Sequence, residues 1–244
     1  PQAPLLVLLD SAALLREQAQ QIKLAALGRL SASIAHEIRN PLSAITHAGQ
    51  LLAEASEIQP DNQRLLGMIQ RHAGRIDKIV RDVLELSRRD DAEQEELPLR
   101  EWLLRTLTLY QEGYPQSARP IEMLDVPASI GVRFAPGHLQ QVLFNLWDNS
   151  FEHGGPAARV LMHAERLDNG RIYLEVADNG PGIADDLSDK IFEPFFTTHS
   201  AGTGLGLYLA RELCEYNRGK LQLLSQARGA CFRILFPLDT PHPT

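Results

Sequence analysis

Hydrophobic and polar positions follow two regimes along this chain. In the first third, apolar residues recur at helical spacing, roughly 100° per residue. Leu24, Leu27, Leu30 or Ser31, Ile34, Ile38, Ile45, Ala48 or Gly49 and Leu52 make one stripe, and Leu65, Ile69, Ala73, Ile76, Val80 and Val83 make a second. Asp10 or Ser11 can cap the first helix, expected from about Ala12 to about Ser56 with a kink at Pro41. Ile58-Gln59-Pro60-Asp61 reads as a turn, and Asp61 as the N-cap of a second helix reaching about Arg88. Two long amphipathic helices joined by a short turn form an antiparallel hairpin. One hairpin cannot cover both stripes, whereas two copies paired as a four-helix bundle can, so a homodimer is expected on burial grounds.

The second regime follows the acidic run Asp90-Asp91-Ala92-Glu93-Gln94-Glu95-Glu96, a linker. Strands are expected near Leu97–Leu99, Ile121–Val126 and Gly131–Phe134, with helices over Glu101–Tyr110 and Gly137–His153. Ala158–Leu167 and Arg171–Ala177 form a hairpin around Asp168-Asn169-Gly170. A glycine-rich loop, a helix from about Leu205 to Asn217, and strands near Lys220–Ser225 and Cys231–Phe236 complete an α+β pattern. Upstream of everything, Leu5–Leu9 reads as a buried strand without a partner. The expected division is therefore residues 1–10 as the end of an upstream sensory domain, 11–90 the hairpin, 91–97 the linker and 98–244 the α+β domain.

Composition narrows the field. The chain has 244 residues, 44% of them hydrophobic, enough for one or two domains with a sizeable core. Its net charge of −7, without any basic run interleaved with aromatics, argues against nucleic acid as a partner. Cys214 and Cys231 form no metal pattern or disulfide framework, as suits a reducing compartment. No run approaches the roughly 20 apolar residues that span a bilayer. The chain starts at Pro1 rather than Met, and it is expected to be the cytoplasmic end of a longer protein.

Four clusters carry chemistry. On the first helix His36 projects away from Ile34 and Ile38, with Glu37 beside it and Asn40 one turn on, just before Pro41. An exposed histidine is usually only a surface residue, and a plain bundle would account for the stripes but not for this outward trio. Second, Asn145 and Asn149 share a face of the Gly137–His153 helix, whose buried stripe is Leu139, Val142, Leu143, Leu146 and Ser150 or Phe151. Stacked side-chain amides can offer oxygen to Mg²⁺, although helical Asn is often merely exposed. Third, Asp178-Asn179-Gly180-Pro181-Gly182 follows a strand, where an Asp can accept a hydrogen bond from an exocyclic amine; an ordinary turn explains it too. Fourth, Gly202-Thr203-Gly204-Leu205-Gly206-Leu207 runs into a helix N-terminus, an arrangement that cradles phosphate. It is neither a Walker motif nor the dinucleotide fingerprint. Between the last two lies Phe192-Glu193-Pro194-Phe195-Phe196, an aromatic patch expected to be an exposed lid.

In this order the motifs resemble those of bacterial two-component sensor histidine kinases, from His-Glu-x-x-Asn-Pro-Leu through the Asn box and Asp-x-Gly-x-Gly to Gly-x-Gly-x-Gly. The stretch from Thr197-Thr198-His199 to Arg211-Glu212-Leu213-Cys214 is most similar to the branch that regulates type IV pili. The resemblance implies a dimeric phosphotransfer hairpin followed by an α/β-sandwich ATP domain of the gyrase, Hsp90 and MutL type. It implies His36 as the phosphorylated nucleophile, Glu37 as the acceptor of its Nδ1 proton, and Asn40 as a water-orienting residue for phosphatase action. Asp178 would bind the adenine amine, with Gly180 and Gly182 shaping that pocket. Asn145 would ligate Mg²⁺ and Asn149 contact phosphate or metal. Gly202, Thr203, Gly204, Leu205 and Gly206 would wrap the phosphates of ATP, and Phe192, Phe195 and Phe196 would work the lid. The implied partner is a response-regulator receiver domain, and the full-length protein is expected in the bacterial inner membrane. Three positions depart from the family: Glu152 and His199 stand where basic residues are common near the nucleotide, and Ala135 where an Asp is frequent. An ATPase of the same fold that does not phosphorylate itself, and a dimeric scaffold with an inactive nucleotide site, are the alternatives. For the first, Gln141 occupies the position where such an ATPase needs a carboxylate base.

Overall fold

The computed structural model describes residues 34, 38–52, 60–87, 92–114, 119–199, 202–226 and 228–238. Two compact units divide the chain, Pro1–Ile79 and Val80–Thr244.

In the first unit α1 covers residues 38–52 and α2 begins at Pro60, running to Ser87 in the second. The α1 stripe is as the periodicity requires: Ala48 is buried, Ile34, Ile38, Ile45 and Leu52 are half-buried, and Arg39 and Asn40 are exposed. Pro41 lies inside α1 and is itself buried. The Ser43 hydroxyl donates to Arg39 O and the Thr46 hydroxyl to Leu42 O, both at 2.9 Å. Both are back-bonds to the carbonyl four residues earlier, a geometry that Ser and Thr adopt within helices. The α2 stripe differs from expectation. Leu65, Ile69 and Ile76 are half-buried as expected, but Ala73 and Val80 are exposed and Ile79 is fully buried. The inward line steps by three from Ile76 to Ile79, because two helical spacings alternate and the smaller Ala73 contributes little to burial. His36 and Glu37 lie outside the described residues, as do Leu5–Leu9.

The second unit is an α/β sandwich. Strand β1 (Glu95–Pro98) pairs antiparallel with β3 (Gly131–Phe134) in a two-stranded ribbon. The other strands form a five-stranded sheet: β2 (Ile121–Asp125), β4 (Val160–Arg166), β5 (Ile172–Asp178), β7 (Cys231–Leu235) and β6 (Lys220–Leu224), in that spatial order. Only the β2–β4 pair is parallel. Glu95 and Glu96, read as linker, belong to β1: their backbones pair with Phe134 and Arg133 while their side chains stay in water, so the acidic composition hid an edge strand.

Alternation explains the layer. Val160, Met162 and Ala164 on β4, Leu174 and Val176 on β5, and Phe232 and Ile234 on β7 share one core with three helices. These are α3 (Leu99–Glu112), α4 (Pro136–Gly154) and α5 (Gly206–Tyr216), which supply Leu103, Leu139, Val142, Leu146, Trp147, Leu209 and Leu213 to it. The β4–β5 hairpin closes as the Asn-Gly signal requires. Gly170 has φ +82°, and Asn169 Oδ1 accepts the Arg171 N–H at 3.0 Å.

Behind α4, Asp148 Oδ1 accepts from the Tyr110 and Tyr114 hydroxyls and from Arg119, at 2.8, 2.9 and 2.7 Å. Burial, followed by the Asp148 charge, pushes the Tyr110 hydroxyl well above its ordinary range. Tyr110 therefore stays a donor and ties α3 to the back of the helix that carries Asn145 and Asn149. At the other end of α4, Asn217 Oδ1 accepts the Ala135 N–H at 2.9 Å, while its amide donates to Leu213 O and His138 Nδ1. Fully buried Asn217 thus fixes the start of α4 against the end of α5.

Candidate nucleotide site

Asp178 is the last residue of β5, and its hydrogen bonds are lopsided. Its Oδ1 accepts the Gly180 N–H at 2.9 Å and the Ala230 N–H at 3.0 Å. Among the described residues its Oδ2 has only the Ser150 hydroxyl as a hydrogen-bond partner, at 3.3 Å. Two backbone amides thus anchor one oxygen and leave the other as an acceptor for a ligand amine. The strand end is held as well, since Asp178 N–H donates to Ala230 O at 2.8 Å. Glycine is required at the crossing: a Cβ on Gly229, at φ +76°, would lie 1.8 Å from Asp178 O. Gly182, at φ +83°, would bring a Cβ within 3.0 Å of Gly229 O. Asn179 braces the loop by accepting the Arg159 N–H and donating to Ala157 O.

On α4 the half-buried Asn145 and Asn149 stand one turn apart. Asn145 Oδ1 faces the Gln141 amide at 3.4 Å, while its Nδ2 is buried and has no partner among the described residues. Side-chain amides are assigned in orientation from their partners. Rotating both this amide and that of Gln141 by half a turn keeps the hydrogen bond, with Asn145 Nδ2 donating to Gln141 Oε1, and turns an oxygen to the vacant side. That orphaned atom fits a metal ligand, and Asn145 with Asn149 is a donor set of the oxygen type that Mg²⁺ takes. The start of α5 adjoins Asn145, because a Cβ on Gly206 would sit 3.6 Å from Asn145 Oδ1. The first amides of α5 lack intrahelical acceptors, so a partial positive charge lies beside Asn145.

The loop before α5 is buried rather than open. Leu205 is fully buried, and Thr203 is 3% exposed. The Thr203 hydroxyl donates to Asp82 Oδ2 at 3.1 Å and accepts the Leu205 N–H at 3.3 Å. Phe195 has φ +68° and donates its N–H to Gly204 O at 2.9 Å. None of the three phenylalanines of the aromatic patch is exposed, contrary to the exposed lid its loop position indicated. Phe192 is buried edge-on against Phe232, with the Arg211 guanidinium 5.2 Å from its ring, because two short 3-10 turns at Asp185–Leu187 and Lys190–Phe192 carry it into the core. Phe195 and Phe196 are half-buried. The His153 and His199 rings meet at 5.8 Å between the end of α4 and this segment, and Glu152 is exposed next to them.

The structure thus joins Asp178, Gly180 and Gly182 with Ser150, Gly229 and Ala230 at the end of β5, sets Gly180 beside Gly154 at the end of α4, and brings Gly206 of α5 to Asn145 on α4. Ser150, Gly229, Ala230 and Asp82 were not singled out from the sequence as site residues. Ser150 carried a signal read only as part of a buried stripe. Ala230 acts through its backbone, which no side-chain motif reveals.

The family model "Histidine kinase-, DNA gyrase B-, and HSP90-like ATPase" matches residues 135–240, and "His Kinase A (phospho-acceptor) domain" matches residues 26–92. The chain belongs to the sensor histidine kinase family. It is 44% identical over 239 residues to the sensor protein kinase PilS of Pseudomonas aeruginosa, covering 95% of this chain and 44% of that protein. It is 32% identical to the sensor histidine kinase ZraS of Klebsiella oxytoca, covering 91% of this chain and 48% of the relative. The chain therefore spans somewhat under half the length of these relatives. Among solved structures, histidine kinase ThkA in complex with response regulator protein TrrA aligns with a TM-score of 0.76 at 25% identity, covering 96% of this chain and 69% of that one.

Proposed function

We propose that this chain is the catalytic core of a homodimeric sensor kinase that phosphorylates His36 from ATP and passes the phosphoryl group to an aspartate of a response-regulator receiver domain. The observation that carries the nucleotide half is Asp178 Oδ2, which no backbone amide among the described residues claims and which the Ser150 hydroxyl meets at 3.3 Å. The α5 N-terminus beside Asn145 supports the phosphate half of the reading. An adenine amine on the carboxylate and phosphates at the helix start suit that charge pattern. The phosphotransfer half rests on the His36-Glu37-Asn40 box and on the phospho-acceptor domain match over residues 26–92.

In this reading the Asp178 carboxylate selects and orients the base, and the glycine backbone from Gly180 to Gly182 lies against it. The amides at the start of α5 take the phosphate charge without changing position, which is electrostatic stabilisation by a preorganised dipole. Asn145 and Asn149 would hold Mg²⁺, which neutralises phosphate charge when bound. His36 Nε2 attacks the γ-phosphorus, the bond from that phosphorus to the bridging oxygen breaks and ADP leaves, while Glu37 accepts a hydrogen bond from Nδ1–H and fixes that tautomer. Exposed Leu42, Leu51 and Leu66 on the hairpin support a second copy as the cover for its apolar surface. The relatives are about twice as long as the part this chain matches, which leaves room for further segments, and a tether to the inner membrane through such segments belongs to this reading. Among the described residues no helix is long and apolar enough to cross a membrane.

The test is incubation with γ-labelled ATP and Mg²⁺, followed by acid or alkali. Acid-labile, base-stable label on the wild type, lost in His36→Gln with nucleotide binding retained, is the expected result. Free phosphate without protein label would mean an ATPase of the same fold. Neither product would mean a scaffold. Residual acid-labile label on His36→Gln would move the phosphorylated residue to another histidine, such as His72 or His153.

A further inference from the structure

We infer that Ser150 is a specificity-determining residue, which together with Asp178 reads two adjacent atoms on the edge of a 6-aminopurine. The inference rests on the ATP reading above and names the atom that Ser150 adds to it.

Ser150 is 3% exposed and sits on α4 directly after Asn149. Its Oγ is 2.9 Å from Leu146 O, one turn back, and 3.3 Å from Asp178 Oδ2. A hydroxyl has one proton, so it can serve only one of these acceptors at a time. Leu146 O belongs to a helix interior and already has its helical amide partner to draw on, so releasing the hydroxyl leaves no orphan there. Asp178 Oδ2 is the one carboxylate oxygen that the backbone has not claimed. When an exocyclic amine approaches Oδ2, the amine supplies the donor, and the Ser150 proton is free to turn to the next atom along the base edge. In adenine that atom is N1, an acceptor. The spacing of the two protein oxygens suits neighbouring atoms of one ring edge. In a 6-oxopurine both positions reverse: the 6-position brings an acceptor to Asp178, and N1 carries a proton. Asp178 then repels the 6-oxygen, and Ser150 can meet N1–H only by accepting, with its own proton turned to Leu146 O, so the donor–acceptor match of the pair is lost at the Asp178 position. Ser150 is thus the donor half of a donor–acceptor pair whose acceptor half is Asp178.

The experiment is a ligand-atom double-mutant cycle on the whole chain, read by calorimetric affinity. The ligands are ATP, 1-deaza-ATP (N1 replaced by C–H) and purine riboside triphosphate, which lacks the 6-amino group. Wild type is expected to bind 1-deaza-ATP roughly three- to tenfold more weakly than ATP, the range for one neutral hydrogen bond. Ser150→Ala is expected to lose a similar factor with ATP and nothing further with 1-deaza-ATP. Equal losses of Ser150→Ala with both ligands would overturn the inference, as would wild-type binding of 1-deaza-ATP at full strength; the latter needs no variant to fold. A Ser150→Ala loss that vanishes with purine riboside triphosphate but persists with 1-deaza-ATP would make Ser150 only a brace for Asp178, and also overturns it. If wild type binds purine riboside triphosphate as tightly as ATP, the Asp178 reading itself fails, a separate outcome from the others.

Discussion

Gly204 and Phe195 cross backbone to backbone. A Cβ on Gly204 would lie 2.3 Å from the Phe195 carbonyl carbon, and both residues hold positive φ, +69° and +68°. The Phe195 N–H to Gly204 O bond at 2.9 Å closes the crossing. An alanine at 204 meets rigid backbone rather than a flexible side chain, and a left-handed conformation adds roughly 1–2 kcal/mol. Gly204→Ala is therefore expected to weaken ATP binding at least tenfold by parting this loop, and to lower the thermal midpoint by a few degrees. Gly206→Ala is the control, since its Cβ would meet nothing closer than 3.6 Å; its midpoint is expected to match wild type. Calorimetry and thermal melts on the two variants check both halves, and equal behaviour would contradict the crossing.

Asp178→Asn separates recognition from folding. The substituted side chain keeps an oxygen for the Gly180 and Ala230 amides, so the strand end holds. Its new NH₂ occupies the Oδ2 side, where it faces Ser150 and presents a donor to the incoming amine. One charge-assisted hydrogen bond is lost, roughly 1.5–3 kcal/mol. ATP affinity is expected to fall by about one to two orders of magnitude with the nucleotide-free thermal midpoint nearly unchanged. Unchanged affinity with a lowered midpoint would make Asp178 a structural residue.

Where periodicity and burial act together, the sequence was a good guide. The β4–β5 hairpin, α4 and α5 follow from alternation, from the i, i+3, i+4 stripe of Leu139 to Leu146, and from the Asn169-Gly170 turn. The positions of Asp178 at a strand end and of Gly206 at a helix start were legible, because each follows from the periodic element beside it. What stayed hidden is what sequence spacing cannot carry. Ser150 meets Asp178 across 28 positions, and Ala230 contributes only an amide. Phe192 is placed by two 3-10 turns too short to leave a periodic signal, so an aromatic in a loop was read as exposed. Glu95 and Glu96 read as linker because an edge strand needs no apolar side chains of its own.

Cys231 gives a pH dependence with a definite sign. Burial, then the neighbouring Glu175 charge, pushes its thiol from the ordinary 9.0 up to about 11. The folded chain therefore keeps a proton that the unfolded chain gives up first. That contribution to stability is complete below about pH 9 and is lost as pH rises through about 11. Cys231→Ala is expected to show a shallower fall of thermal midpoint over this window than wild type. Cys214, also raised by burial, is common to both proteins and cancels in the comparison. Identical slopes would mean that the thiol is not held protonated by the fold.

Asn40 tests the division of labour on the hairpin. It is exposed on α1, immediately before buried Pro41 and one turn beyond His36 in sequence. An amide can hold a water but cannot take its proton, so it suits orientation rather than base catalysis. In the proposed reading, phosphorylation of His36 calls on His36 and Glu37, and hydrolysis of a docked regulator's aspartyl phosphate calls on an oriented water. Asn40→Ala is therefore expected to leave labelling of His36 within a few-fold of wild type. Decay of the phosphorylated regulator should slow by on the order of tenfold or more, a loss of about 1.4 kcal/mol or greater in transition-state stabilisation. Both are measured on one protein, by label incorporation and by decay of phospho-regulator with ADP present. Equal losses in the two assays would assign Asn40 to the helix around Pro41, since a distorted α1 would displace the histidine for both reactions. Unchanged decay would mean that the regulator loses its phosphate without help from this side chain.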